Sequence, residues 1–344
     1  MMKVLIDIGH PAHVHLFKNV AMRLLITGHD VLFTCRDRDN INKLLEYYGF
    51  RYDSFGQHYK TLVSKALHLL LNYYKMLKVS IKYKPDMYLS NGSMFSALSA
   101  FLLRKPHIVH EDTGNWEQMV FYLPFSKYIL TPESLKQDFG KKQYRYKGFQ
   151  ESFYLHRNHF KADPFVLHKY DMDDGTEYLV LRFVRYNASH DVRYKTLSPD
   201  QIYRLVRSLA SRYKIFMSYE GGVPSEMEKY CKQFDPQDVH HVMAYSKGYI
   251  GQSATMASEA AHLGIPAVFI RSLNEKTEGV IDYQNLKGYI KTVDYSSHQV
   301  QDILNVFDEI AHKKLPDIHE EICDPTELLY SAIFNPQKYW KVKK

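Results

Sequence analysis

Short apolar runs alternating with segments of helical spacing constrain this chain more than any other feature. Lys3–Ile8 is an apolar run of strand length, and Val14–Ile26 repeats apolar residues at helical spacing through Phe17, Val20, Ala21, Leu24 and Leu25. Gly28 closes that helix, and His29–Thr34 reads as the next strand. Asp86–Ser90, His107–His110 and Lys127–Thr131 follow as strands, with a helix over Ser93–Leu103. Residues 149–175 carry scattered charges, Pro164 and the run Asp171-Met172-Asp173-Asp174-Gly175, which predict a linker and a turn. The alternation then resumes with Tyr178–Val184, a helix after Ser198-Pro199, Lys214–Ser218, Tyr249–Gly251, a helix through Leu263, and Ala267–Ile270. Strand and helix in turn predict parallel sheets with crossover helices. At 344 residues the chain exceeds one ordinary core and fits two α/β domains of about 150 residues each. The expected division is a Rossmann-like domain over 1–160, a second over 161–324, and an aromatic helical segment over 325–344 that packs back on the first.

Composition narrows the function classes. A chain with 45% hydrophobic and 24% charged residues is expected to be a soluble globular protein. Cys35, Cys231 and Cys323 lie far apart without zinc or redox spacing, which points to a reducing compartment. No signal-peptide pattern and no apolar run of about 18 residues occurs, so a cytoplasmic location is expected. The net charge of +7 suits nucleic acid, anionic lipid or a phosphorylated substrate. Scattered Lys and Arg without a recognition signature place nucleic acid last, and none is expected as a partner. Thr61–Lys84 mixes Leu67, Leu70, Leu71, Tyr74 and Leu77 with Lys65, Lys75, Lys78, Lys82 and Lys84. It reads as a crossover helix packed on the sheet. The alternative is peripheral contact with the anionic inner face of a membrane.

In open α/β sheets ligands bind beyond the carboxyl ends of the strands, where helix N-termini favour phosphate. After the first strand come His10, His13 and His15, three histidines in six residues at a turn. They suit a general base, phosphate contacts or turn hydrogen bonds; a metal site is not expected, because no carboxylate cluster accompanies them. Glu111 and Asp112 end another strand and serve either as solvated acids or as base and acceptor-binding groups. In the second half Gly251-Gln252-Ser253-Ala254-Thr255 joins strand to helix, with Glu259 one turn further. Small residues there admit a diphosphate and the hydroxyls donate to it, or Ser253 or Thr255 simply caps the helix. Arg182, near a strand end, pairs either with the diphosphate or with a surface carboxylate.

The stretch Ser258-Glu259-Ala260-Ala261-His262-Leu263-Gly264-Ile265-Pro266-Ala267-Val268-Phe269 resembles the donor-site helix of GT-B glycosyltransferases. It is similar in particular to the N-acetylglucosaminyltransferase of peptidoglycan synthesis and to the non-hydrolysing UDP-GlcNAc 2-epimerases. In both, a glutamate at the place of Glu259 holds the ribose. His13 stands fifteen residues before Gly28, like the histidine of that transferase's glycine-rich loop. The whole pattern, with Asp7-Ile8, Pro11, His13-Val14-His15 and Phe17-Lys18 at its start, most resembles a bacterial and archaeal family of GT-B-like proteins of unassigned function. The resemblance implies an α/β fold of GT-B type, two Rossmann-like doubly wound domains facing a central cleft. It implies a nucleotide-diphosphate sugar as co-substrate, with no further cofactor.

The departures are informative. His10-Pro11-Ala12 replaces the transferase's glycine-rich loop, and Ser253-Ala254 replaces a glycine pair. The retaining pattern has a second glutamate eight residues before the ribose one, where this chain has Gly251, so inversion is expected. Around Ser90-Asn91-Gly92-Ser93 the epimerases carry a catalytic aspartate, whose place is taken by Gly92. Glu111, Asp112 and Glu117 remain near their other carboxylates. The expected activity is therefore glycosyl transfer to a glycan or lipid-linked acceptor in cell-surface polysaccharide synthesis, with His13 as base and Asp112 as its competitor. Substrate contacts are expected from His10, His15, Asn91, Ser93, Glu111, Glu117, Arg182, the residues from Gly251 to Thr255, and Glu259. An epimerase-like enzyme and a non-catalytic nucleotide-sugar-binding protein are the alternatives.

Overall fold

The computed structural model describes residues 1–37, 40–57, 62–173, 175–184, 197–220, 223–272, 279–294 and 299–340. Two compact units divide the chain: Met1–His159 with Ile322–Lys344, and Phe160–Glu321.

The first unit runs β1 (Lys3–Ile8), α1 (Pro11–Ile26), β2 (Asp30–Asp37), α2 (Ile41–Tyr47), β3 (Tyr52–Gln57), α3 (Leu62–Tyr83), β4 (Met87–Asn91), α4 (Met94–Leu102), β5 (His107–His110), α5 (Trp116–Met119), β6 (Tyr128–Pro132), β7 (Gln143–Tyr146) and α6 (Ser152–Leu155). Its seven strands lie in the order β3-β2-β1-β4-β5-β6-β7, every pair parallel. Strands covered on both faces read as continuous apolar runs, which is why Lys3–Ile8 is buried from Val4 onward. Met76 and Tyr83 of α3 pack with Leu5, Leu32, Tyr88 and Phe95, so α3 is a crossover helix on the sheet. Thr61, and the side chains of residues 62–68 with Lys65 and Leu67 among them, lie outside the described residues.

The second unit continues with α7 (Phe165–His168), β8 (Tyr178–Phe183), α8 (Pro199–Ala210), β9 (Lys214–Tyr219), α9 (Val239–Ala244), β10 (Gly248–Gly251), α10 (Ala254–His262), β11 (Ala267–Arg271), α11 (Val280–Lys287), β12 (Lys291–Asp294) and α12 (Gln299–Ala311). Its parallel sheet has the order β12-β11-β10-β8-β9. Leu181, Ile250, Val268, Ile303 and Phe307 lie at the centre of its core. The chain then re-enters the first unit as α13 (Pro325–Phe334), which packs on α1 and α6. There Thr326 Oγ1 donates to the Phe153 carbonyl at 2.8 Å, and the buried Trp340 Nε1 donates to the Ile129 carbonyl at 3.1 Å. Asp324 accepts from Asn158 Nδ2 at 3.0 Å and lies 2.8 Å from His159 Nε2, so departing and returning segments are fastened together.

Strand order reverses between β1 and β4 in one sheet and between β10 and β8 in the other. Such a switch point opens a crevice at the carboxyl strand ends, where a ligand is accommodated.

Two expectations need correction. Residues 149–155 are not linker: Phe149, Phe153, Tyr154 and Leu155 are buried, because their aromatic content outweighs the neighbouring charges. Helix α1 starts at Pro11 rather than Val14, since proline suits a first helical position and His10 accepts from the Ala12 amide at 3.2 Å as cap.

Candidate functional site

At the switch point of the first unit the central group is Asp7, next to the last residue of β1. It is buried and accepts from Thr34 Oγ1 at 2.6 Å and from Ser93 Oγ, tying β1 to β2 and to the start of α4. Burial pushes its carboxyl up from the usual range, against those hydrogen bonds and the charge of Arg36. Ser93 is also the cap of α4, accepting from the Phe95 and Ser96 amides. Gly92 before it has φ +61°, a left-handed turn that glycine adopts without strain.

The early start of α1 separates the three histidines. His10 is exposed at the cap, and His13 and His15 ride on the helix rather than on a turn. His15 is buried, its ring 5.4 Å from that of Tyr154 and 6.3 Å from that of Tyr48. It packs as a core aromatic. His13 faces the strand ends: the Gly9 amide donates to its Nδ1 at 3.2 Å, and the Asn91 carboxamide lies 2.9 Å from its Nε2.

Beyond β5, Glu111 and Asp112 have different surroundings. Glu111 is buried and spends both oxygens on its own loop: Oε1 accepts from Thr113 N, Thr113 Oγ1 and Gly114 N at 2.7, 2.7 and 2.9 Å, and Oε2 accepts from Tyr122 Oη. It organises the β5–α5 turn. Asp112, only partly buried by its surface, has its carboxyl pushed up to about 7, first by burial and then by the neighbouring Glu111 charge. A carboxylate titrating near neutrality can take or give a proton there. Glu117 is exposed in the first turn of α5, and no contact joins it to these two groups among the described residues.

In the second unit the β10–α10 junction lies at the switch point. A Cβ on Gly251 would sit 2.4 Å from the Arg182 carbonyl and 2.6 Å from Tyr249 Oη, so strand packing alone requires glycine there. The Gln252 amide donates to the Arg182 carbonyl at 2.8 Å, and Gln252 Oε1 accepts from Val184 N at 3.1 Å. Tyr249 Oη accepts from the Ser253 amide and donates to the Ser253 carbonyl, both at 3.1 Å. Ser253 caps α10, accepting from Met256 N at 3.3 Å. Helix geometry leaves the amides of Ala254 and Thr255 without intrahelical acceptors, and the Thr255 side chain is exposed beside them. One turn on, Glu259 is buried with Oε1 2.9 Å from Nε2 of the equally buried His240 on α9. Arg182 is already engaged: its guanidinium donates to Ser218 Oγ, its register partner on the adjacent β9, and pairs with Glu220 just beyond that strand.

Sequence reasoning did not single out Asp7, His110, Tyr122, His240 or Tyr249 as parts of these sites. A carboxylate closing the apolar run of β1 was the one visible signal. Among the described residues, the group of histidine, cysteine and carboxylate atoms close enough to share a metal ion is His159, Asp324 and Glu327. It includes none of the residues at the strand ends.

The sequence pattern of the family described as "Protein of unknown function (DUF354)" matches residues 2–338. The chain belongs to that family. An uncharacterized protein of Methanocaldococcus jannaschii is 25% identical over 344 residues, covering 96% of this chain and 98% of that one. Among solved structures, the UDP-GlcNAc 2-epimerase of Neisseria meningitidis bound to UDP-GlcNAc superposes with TM-score 0.65 at 13% identity, over 97% of this chain and 100% of that one. A glycotransferase of kitacinnamycin superposes with TM-score 0.62 at 11% identity, over 98% and 99%. At these identities the likeness establishes the fold, which is of GT-B type with two Rossmann-like units.

Proposed function

We propose that this DUF354 protein is an inverting glycosyltransferase that uses a nucleotide-diphosphate sugar. The observation that carries the reading is the β10–α10 junction. Two helix-terminal amides and the Thr255 hydroxyl suit a diphosphate, and a buried glutamate one turn later suits ribose hydroxyls. A nucleotide sugar is also the ligand in the Neisseria structure that shares the fold. Arg182 would contribute to the diphosphate only by giving up part of its bond with Glu220. Asp112 acts as the base. It removes the proton of an acceptor hydroxyl, whose oxygen attacks the anomeric carbon while the carbon–oxygen bond to the diphosphate breaks. The departing nucleoside diphosphate keeps the electron pair, and the α10 terminus stabilises its charge without metal. His13 has both ring nitrogens engaged, Nδ1 by the Gly9 amide and Nε2 by Asn91 at the end of β4, so it serves to shape the site rather than to take the proton.

Epimerisation is disfavoured at Gly92, whose left-handed φ would strain an aspartate. Incubation with UDP-GlcNAc is expected to give slow release of UDP and no manno isomer. Proton NMR of the sugar nucleotide distinguishes these, and enzyme-dependent appearance of the manno isomer would replace transfer by epimerisation. A raised melting temperature with UDP-GlcNAc but no release, even with glycan acceptors, would favour the non-catalytic binding protein.

The acceptor we propose is a glycan or lipid-linked saccharide of cell-surface polysaccharide synthesis, met at an anionic membrane. Among the described residues no helix is long and apolar enough to cross a bilayer. The first unit nevertheless has exposed Leu70, Tyr74 and Ile81 on α3, Phe101 on α4, and Trp116 and Phe121 at or just after α5, with Lys78, Lys82 and Lys84 nearby in sequence. The protein should co-sediment with phosphatidylglycerol vesicles and much less with phosphatidylcholine ones, and Leu70→Glu with Phe121→Glu should abolish this. Equal recovery with both lipids would remove the membrane from the reading.

A further inference from the structure

One chain of polar side chains at the carboxyl ends of β4, β5 and β7 is unexplained by the roles assigned so far. Nε2 of His13 lies 2.9 Å from one end of the Asn91 carboxamide, and the Gln150 carboxamide lies 3.1 Å from that same end. The other end of Asn91 lies 2.9 Å from Nδ1 of His110, whose Nε2 is 2.9 Å from Tyr146 Oη. His110 and Tyr146 are both about 1% exposed. Burial holds the His110 ring neutral, its pKa pushed down to about 3.

A neutral imidazole has one N–H and one acceptor nitrogen, while a carboxamide has one accepting and one donating end of nearly the same shape. Proton count therefore decides the arrangement. The Gly9 amide points at Nδ1 of His13, so that nitrogen accepts and the ring proton is on Nε2. The Asn91 end facing it must then be the oxygen. The nitrogen end of Asn91 donates to Nδ1 of His110, and His110 in turn carries its proton on Nε2, directed at Tyr146 Oη. Gln150 completes the set by donating to the Asn91 oxygen.

We infer that His13 and His110 are locked as a coupled pair of Nε2–H tautomers through the Asn91 carboxamide, which makes Asn91 and His110 positioning residues for His13. The pair is bistable in principle. Turning Asn91 over reverses both tautomers at once, and the Gly9 amide selects the first state. The inference concerns protonation within the first unit and holds whether or not the protein transfers a sugar.

Long-range proton–nitrogen NMR on the full chain labelled with ¹⁵N-histidine reads tautomers directly. Signals are assigned by their loss in His13→Gln and His110→Gln. At pH 8 both rings should show a protonated Nε2 and an unprotonated Nδ1. Two Nδ1–H rings, or one of each kind, would overturn the inference. Asn91→Asp adds a second readout: a carboxylate accepts from both rings, so His110 should switch to Nδ1–H while His13 stays Nε2–H. An unchanged His110 pattern in folded Asn91→Asp would refute the coupling. If that variant does not fold, Tyr146→Phe removes a single hydroxyl while the Asn91 nitrogen still donates to Nδ1, so His110 should stay Nε2–H. A mixture of tautomers, or a switch of His110 to Nδ1–H, in Tyr146→Phe would likewise refute it.

Discussion

Asp112→Asn is expected to lower turnover ~10²–10⁴-fold, the usual contribution of a positioned general base, while nucleotide-sugar affinity stays nearly constant. Asparagine matches the carboxylate in size but cannot accept a proton at neutral pH. Because the Asp112 carboxyl is pushed up to about 7, the unaltered protein should gain activity as pH rises through that value and lose it below, where the group is protonated. The Asn variant should lack this limb. Steady-state rates from pH 5.5 to 9 check both points. Normal turnover in Asp112→Asn, together with an inactive His13→Ala, would return the base to the histidine. Glu111→Gln is a useful contrast. It weakens four hydrogen bonds of the β5–α5 turn, so its effect should appear in thermal stability as well as in rate.

Glu259→Ala should weaken nucleotide-sugar binding by about 1–3 kcal/mol, or ~5–150-fold in affinity, the loss of charge-assisted hydrogen bonds to the ribose. Alanine favours helix, so α10 itself should persist. The substitution also deprives His240 of its contact with Glu259 inside the unit, and some loss of stability should accompany it. Glu259→Gln separates the effects, because its amide oxygen can still accept from His240. Calorimetry with UDP-GlcNAc, read beside melting curves, checks the pair. Wild-type affinity in a folded Glu259→Ala protein would take this residue out of the binding site.

The parallel sheets were legible because buried parallel strands are written as near-continuous apolar runs, as in Val4–Ile6 or Tyr249–Gly251. Three of the four edge strands were not, β9 being the exception. β3 (Tyr52–Gln57), β7 (Gln143–Tyr146) and β12 (Lys291–Asp294) mix polar and apolar residues because one flank is unpaired, and none was anticipated. At the candidate sites, local chemistry was readable and tertiary chemistry was not. Ser253 could be foreseen as a helix cap from its position alone. The histidine that meets Glu259 lies nineteen residues earlier on another helix, and the carboxylate that meets Arg182 lies just past the end of the neighbouring strand. Asp112 differs from Glu111 through burial and hydrogen-bond supply, neither of which is encoded in adjacent letters. His15 was misplaced for a local reason. Histidine is an uncommon cap, so His10-Pro11 was read as the turn when it is the start of the helix.

The re-entry of α13 into the first unit has a consequence for biogenesis. Residues 1–159 leave the ribosome well before Thr326 and Trp340, whose hydrogen bonds to Phe153 and Ile129 complete their packing. The second unit, by contrast, is encoded without interruption and can close its sheet as soon as β12 and α12 have emerged. The unit that is synthesised first is therefore finished last. Until α13 has emerged, the α1 and α6 surfaces stay uncovered where it will dock, so the nascent chain's exposure to misassociation is concentrated in its oldest part.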